Sequence, residues 1–146
     1  MLYFAYGPTM ERTQMKRCCP GSRFVAAARL RHHRLAFPRR SEAWGGGVAG
    51  LASAPGQVVE GVLYQVTEED RQSLDRWEDH PRSSLRRSIT VETFAGEEVK
   101  AFTYFTLGSG DYPPSRRYME KLIAGAEEHG LSPSYIASLE AIRTAG

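Results

Sequence analysis

The sequence predicts an α+β fold, with about six to seven strands and its main helices clustered toward the C-terminal end. Three observations carry this. Leu2–Tyr6 is an unbroken apolar and aromatic run without a charge, which suits a strand buried on both faces. Between Phe24 and Phe105, short β-branched and aromatic runs recur between Gly and Pro punctuation. After Ser115 the apolar period lengthens to that of a helix.

Each element follows from local chemistry. Gly7-Pro8 stops the first strand, because Pro cannot extend a central strand. Thr9 then reads as the N-cap of a short helix through Arg17. A strand, a tight Gly turn and a helix start aim free backbone N–H groups at one spot, which suits a carboxylate, a phosphate or an oxyanion. The plain alternative is a core edge followed by a turn. Phe24–Ala28 and Leu30–Phe37 read as two strands, the second with Leu35 and Phe37 on one face. Trp44-Gly45-Gly46-Gly47 reads as a flexible loop whose glycines allow close approach. Trp44 fits either a lid at a pocket mouth or a plug over the core. Val48–Ala54 and Val58–Val66 read as strands about a Pro55-Gly56 turn in a hairpin-like connection.

Thr67 caps a helix with Glu68, Glu69 and Asp70 in its first turn, running to about Trp77 and burying Leu74 and Trp77. Pro81 forces an extended exit. Arg86–Phe94 and Val99–Phe105 alternate about Ala95-Gly96, as in a hairpin. Pro113-Pro114-Ser115 opens a helix with Met119, Leu122, Ile123 and Ala126 on one stripe, ended by Gly130. Ser132 caps the last helix, with Pro133 at its first position and Ile136, Leu139 and Ile142 inward.

Composition narrows the function classes. At 146 residues the chain suits one domain, residues 1–146. A net charge of +2 supplies no overall drive toward nucleic acid or membranes. No apolar run reaches bilayer length, and no basic leader precedes Leu2. Cys18 and Cys19 are adjacent, a poor arrangement for a disulfide or a chelate. The expectation is a reduced, cytoplasmic protein without a metal site. Arg29–Arg40 holds five arginines and two histidines. The arginines spread over both faces of the predicted strand, so a solvated edge fits better than a nucleic-acid patch. His32 and His33 point to opposite faces and cannot share a metal.

P-loop, dinucleotide-binding, zinc-protease and nucleophile-elbow motifs are all missing. One candidate base stands out. Glu78 follows a helix and sits beside Trp77, and a carboxylate in a partly closed apolar site can titrate near neutrality. Taken alone, a Glu at a helix end is an ordinary surface residue.

The ordered series changes that reading. It runs Leu2-Tyr3-Phe4-Ala5-Tyr6-Gly7, Ala28-Arg29-Leu30, Leu35-Ala36-Phe37, Trp44-Gly45-Gly46, Glu60-Gly61-Val62-Leu63-Tyr64 and Leu74-Asp75-Arg76-Trp77-Glu78. Pro114-Ser115-Arg116-Arg117-Tyr118, Gly125–Leu131 and Tyr135 complete it. This series resembles the γ-glutamylcyclotransferase family over nearly the full chain, most closely its γ-glutamyl amino acid branch. The resemblance implies a small, partly closed mixed β-barrel flanked by helices. It implies a cofactor-free reaction in which the α-amine of a γ-glutamyl compound attacks its own γ-carbonyl, releasing 5-oxoproline and an amino acid or amine. Glu78 matches the family's catalytic Glu. The turn Tyr6-Gly7-Pro8-Thr9-Met10 matches its substrate-binding loop, with Trp44, Gly45, Tyr104 and Tyr118 as further pocket residues. The implied partner is a small γ-glutamyl substrate, with no nucleic acid or membrane, and a homodimer is compatible with the resemblance. Pro8, Thr9, Asp79 and Leu85 stand where the family carries Ser, Asn, Gly and commonly Tyr. A barrel that binds a small carboxylate or amine without turnover, or that acts on another γ-glutamyl amide, is the competing reading.

Overall fold

The computed structural model describes residues 1–145. Five strands close into a mixed barrel: β1 (Leu2–Ala5), β2 (Arg23–Ser41), β3 (Gly46–Gln65), β4 (Ser84–Thr93) and β5 (Glu98–Thr106), in the order β1-β3-β2-β4-β5. β1 pairs antiparallel with β3 from Leu2↔Gln65 to Ala5↔Val62, and parallel with β5 at Tyr3↔Phe102. As its composition predicts, β1 is interior, and Tyr3, Phe4, Ala5 and Tyr6 are all buried.

There are fewer strands than the punctuation suggests, because two pairs of short runs are each one long strand. β2 runs unbroken through Arg29, with irregularities that include one between Arg31 and His33. Opposite His32, β3 extrudes Ala54–Gln57, since Arg31 pairs with Val58 and His33 with Ser53. Pro55-Gly56 therefore makes a bulge and not a hairpin, with Gly56 at φ +84° and His32 at φ +64° absorbing the bend. Leaving residues unpaired on one strand bends it without ending it. Arg29 and Arg31 both pair with Glu92 across the sheet, so part of the basic run is neutralised.

The glycines after Trp44 serve a different purpose from loop freedom. Glu42–Gly45 is a tight turn, and Gly46 and Gly47 already belong to β3. A Cβ on Gly46 would lie 2.7 Å from the Pro113 carbonyl oxygen, and one on Gly47 1.9 Å from that of Tyr112. The missing side chains let the segment leading to the third helix cross the strand.

Among the described residues, four α-helices flank the barrel: α1 (Arg12–Cys18), α2 (Glu68–Trp77), α3 (Arg116–Glu128) and α4 (Pro133–Glu140). Thr9 does not cap α1. Its hydroxyl is hydrogen-bonded to the Tyr3 phenol at 2.8 Å inside the core, and Pro8–Met10 forms a separate 3₁₀ turn. Glu11 caps α1 instead, accepting from the N–H groups of Thr13 and Gln14 at 2.8 and 3.2 Å. α2 begins with a full capping box between Thr67 and Asp70. It buries Leu74 completely, a contribution of about 1.5–3 kcal/mol. Trp77, expected inside, is 43% exposed, one turn past the packed face. Pro81 follows a cis peptide within a turn, not an extended exit.

Ser115 caps α3 through the Tyr118 N–H, and Gly130 ends that segment at φ +67°. Ser132 precedes α4, but its hydroxyl makes no cap; it donates to Glu60 on β3 at 2.6 Å. α3 packs on the 3₁₀ turn, where Gly125 leaves room for the backbone of Met10 and Glu11. A Cβ there would lie 2.6 Å from the Met10 Cβ and 2.7 Å from the Glu11 nitrogen. Gly125→Ala should therefore destabilise the fold by about 1–3 kcal/mol despite the better helix propensity of Ala. A lower urea midpoint at unchanged slope is the expected result, and a raised midpoint would refute this packing.

Candidate active site

One cavity of about 300 Å³ opens at the end of β1. Its lining includes Tyr6, Gly7, Pro8 and Thr9 from the first turn, Trp44, Trp77 and Glu78 from the end of α2, Tyr104 from β5 and Tyr118 from α3. Residues distant in sequence thus converge because β1 ejects its chain into a turn beside the C-terminus of α2. Tyr3, Thr9, Tyr104 and Tyr118 are buried and form the floor. Arg39, Ala43 and Trp77 are exposed and mark the mouth.

Glu78 is the C-cap residue of α2, at φ −89° and ψ 0°. Its backbone is held from both sides: its N–H donates to the Leu74 carbonyl at 2.8 Å, and its carbonyl accepts the Ser84 hydroxyl at 2.6 Å. The side chain is partly buried and lines the cavity. Burial pushes its pKa up to about 7, with no cation opposing the shift.

The arginines that follow Glu78 are engaged elsewhere. Arg86 pairs with Asp75, which also binds Arg71 at 2.8 Å. Arg82 reaches Asp79 at 3.4 Å, and Arg87 lies over the Phe105 ring. Asp75 has a further role, accepting the Tyr104 phenol at 2.6 Å. The Tyr6 phenol in turn donates to the Tyr104 carbonyl, so floor and helix form one hydrogen-bonded unit.

Asp79 stands at φ +52°, the left-handed region where glycine is at ease and Asp is tolerated. Its carboxylate accepts the Ser83 hydroxyl at 2.5 Å and its carbonyl accepts the Ser83 N–H at 2.8 Å. The family's Gly position is therefore geometrically preserved, with a side chain that braces the turn.

In the first turn, the N–H groups of Gly7 and Thr9 donate to no protein acceptor among the described residues. Pro8 begins the 3₁₀ turn, and its carbonyl accepts from Glu11 at 3.1 Å. Trp44 packs edge-on against Tyr118, with ring centroids 5.1 Å apart, and the Arg117 guanidinium lies over the Trp44 ring at 5.0 Å from its centroid. The Tyr118 hydroxyl accepts the Ala49 N–H at 2.8 Å. Trp44 consequently lies beside a ligand-sized space.

Two candidate residues fall outside the cavity lining. Met10 is fully buried beneath the turn, its carbonyl accepting the Tyr64 phenol at 2.8 Å. Gly45 occupies the outer turn at φ +77°, with open space where a side chain would lie. Leu85 is also outside the cavity lining and pairs with Phe105 in the hairpin. Sequence reasoning missed Tyr3, Arg39, Ser41, Ser84, Thr103 and Thr106, all of which line the cavity. Arg39 and Ser41 alternate along β2 toward Trp44, a period-2 signal hidden by the surrounding arginines.

The barrel has well-defined relatives. The AIG2-like family model matches residues 58–139. Gamma-glutamylcyclotransferase from Bos taurus is 32% identical over 146 residues, spanning 97% of this chain and 78% of its own length. The Homo sapiens protein of that name is also 32% identical, with the same coverage of each chain. A solved structure of a gamma-glutamyl cyclotransferase superposes with a TM-score of 0.94 at 30% identity, covering 99% of this chain and 88% of that one. Likeness that extends along nearly the whole sequence, on a barrel that superposes almost end to end, makes this chain a member of the γ-glutamylcyclotransferase family.

Proposed function

We propose that this enzyme cyclises γ-glutamyl compounds, releasing 5-oxoproline and a free amino acid or amine. The observation that carries the reading is Glu78: a carboxylate poised near neutrality shares a small cavity with the unpaired N–H groups of the first turn. The cavity volume suits a dipeptide-sized ligand. The glutamyl carboxylate would accept from the Gly7 and Thr9 N–H groups. Pro8 supplies no donor, so this pair does the work of the loop.

Glu78 takes a proton from the substrate α-ammonium. The freed amine attacks the γ-carbonyl carbon and forms the ring C–N bond, and the ring nitrogen then releases its surplus proton to solvent. Glu78 then returns the proton to the departing nitrogen as the original amide C–N bond breaks. Both nucleophile and electrophile belong to one molecule, so the protein's task is to hold the reactive rotamer and to carry a proton from the attacking to the departing nitrogen. Nothing in this sequence of steps requires a cofactor.

Three outcomes test the assignment. Glu78→Gln keeps size and shape but removes the base. Release of 5-oxoproline from a γ-glutamyl amino acid should fall roughly 10²–10⁴-fold, while ligand binding is better preserved. Unchanged turnover would overturn the role of Glu78.

The pH dependence follows from the same group. The base must be ionised, so kcat/KM should rise with pH through about 7 and lose that limb in Glu78→Gln.

Stability should move the opposite way. Glu78 has a folded-state pKa raised above its ordinary 4.5 to about 7. The fold thus favours the protonated acid; the associated stability is complete below pH 4.5 and is lost as pH rises through about 7. Glu78→Gln should match wild type in thermal unfolding at pH 4 and exceed it at pH 8, by at most about 3 kcal/mol. Equal melting curves at both values would show that the carboxylate is not desolvated.

A further inference from the structure

The Arg39 side chain lines the mouth of the cavity, on β2 opposite Val48, another lining residue. Among the described residues, no other one lining this cavity is a Lys or Arg. Its neighbour Asp79 is close enough to feel the Arg39 charge, yet Asp79 is already occupied by the Ser83 hydroxyl and Arg82. Among the described residues, the Arg39 guanidinium forms no hydrogen bond or ion pair, whereas Arg29, Arg31, Arg71, Arg82 and Arg86 are all paired with carboxylates. Its backbone is firmly placed. Gly108, at φ +137°, lets the chain cross so near that a Cβ there would lie 2.4 Å from the Pro38 carbonyl oxygen.

Ring closure divides the substrate in two. The glutamyl half occupies the floor, between the first turn and Glu78, and the departing half must lie toward the mouth. A departing amino acid carries its own carboxylate; a departing simple amine does not. A guanidinium free at the mouth matches a carboxylate in that position, because its planar donor fork binds both oxygens.

Resting on the cyclotransferase reading above, we propose that Arg39 is a specificity residue that binds the carboxylate of the departing amino acid. It would select γ-glutamyl amino acids over γ-glutamyl alkylamines.

The test compares 5-oxoproline release from γ-glutamylalanine and from γ-glutamylethylamine in wild type, Arg39→Gln and Arg39→Lys. Wild type should prefer the amino acid conjugate in kcat/KM. Arg39→Gln should reduce that preference on the order of 10- to 100-fold, with the loss concentrated on γ-glutamylalanine. Arg39→Lys, which keeps the charge without the fork, should retain part of the preference. A preference unchanged in Arg39→Gln overturns the proposal. So does an equal loss on both substrates, which would assign Arg39 to the glutamyl half. Wild type inactive on both conjugates would defeat the cyclotransferase reading itself, and the Arg39 proposal with it. Wild type active on both without preference defeats only the role of Arg39.

Discussion

The barrel depends on the pairing of a four-residue strand with both of its neighbours. β1 joins β3 along its length and meets β5 at Tyr3↔Phe102, which closes the sheet. A strand this short can bridge two neighbours only if both of its faces tolerate burial, and Leu2–Ala5 carries no polar side chain except the Tyr3 phenol. That phenol is satisfied by Thr9, in the middle of the turn. Closure of the barrel and placement of the first turn are thus one event. Tyr6 extends the same linkage to β5 through the Tyr104 carbonyl, and Gly125 brings α3 down on the turn from outside.

A second constraint concerns where the positive charge goes. The chain has 19 Lys and Arg residues against 17 Asp and Glu, so a carboxylate in a basic protein would ordinarily find a cation. Glu78 does not, because Asp75 gathers Arg71 and Arg86 and Asp79 occupies Arg82. Desolvation then acts on Glu78 without opposition and raises its pKa. Asp75 lies three residues before Glu78 on α2 and also receives the Tyr104 phenol. The acid that anchors the cavity floor therefore also keeps those arginines away from Glu78.

The departures from the family pattern are absorbed by local geometry. Asp79 adopts the left-handed backbone that the family's Gly would take without strain, and offsets the cost with hydrogen bonds to Ser83. Pro8 occupies the first position of a 3₁₀ turn, where a backbone donor has no partner within the turn. In the proposed reaction the carboxylate-binding task would fall to the flanking residues Gly7 and Thr9. Thr9 cannot offer its hydroxyl, which is committed to Tyr3, but its N–H stays free.

Local signals in the sequence determined much of this protein. The double-sided burial of Leu2–Tyr6, the capped start of α2 at Thr67, the β4–β5 hairpin about Gly96 and the inward stripe of α3 all follow from side-chain periodicity and turn chemistry. The order of modest motifs pointed to the family and singled out Glu78. Other features were beyond any local reading. Pro55-Gly56 looks like a hairpin turn in isolation, yet becomes a bulge because β2 offers a single long edge on which both flanking runs pair. Gly46 and Gly47 look like loop glycines, and are strand residues kept bare by a chain that arrives more than sixty residues later in the sequence, at Tyr112–Ser115. Arg39 looks like one of five similar arginines, and only the closed barrel leaves it unpaired at the cavity mouth while Glu92 takes two of the others. Periodicity records which face of a segment is buried. Which segment covers it, and which charge is left without a partner, depend on long-range contacts that exist only once the barrel has closed.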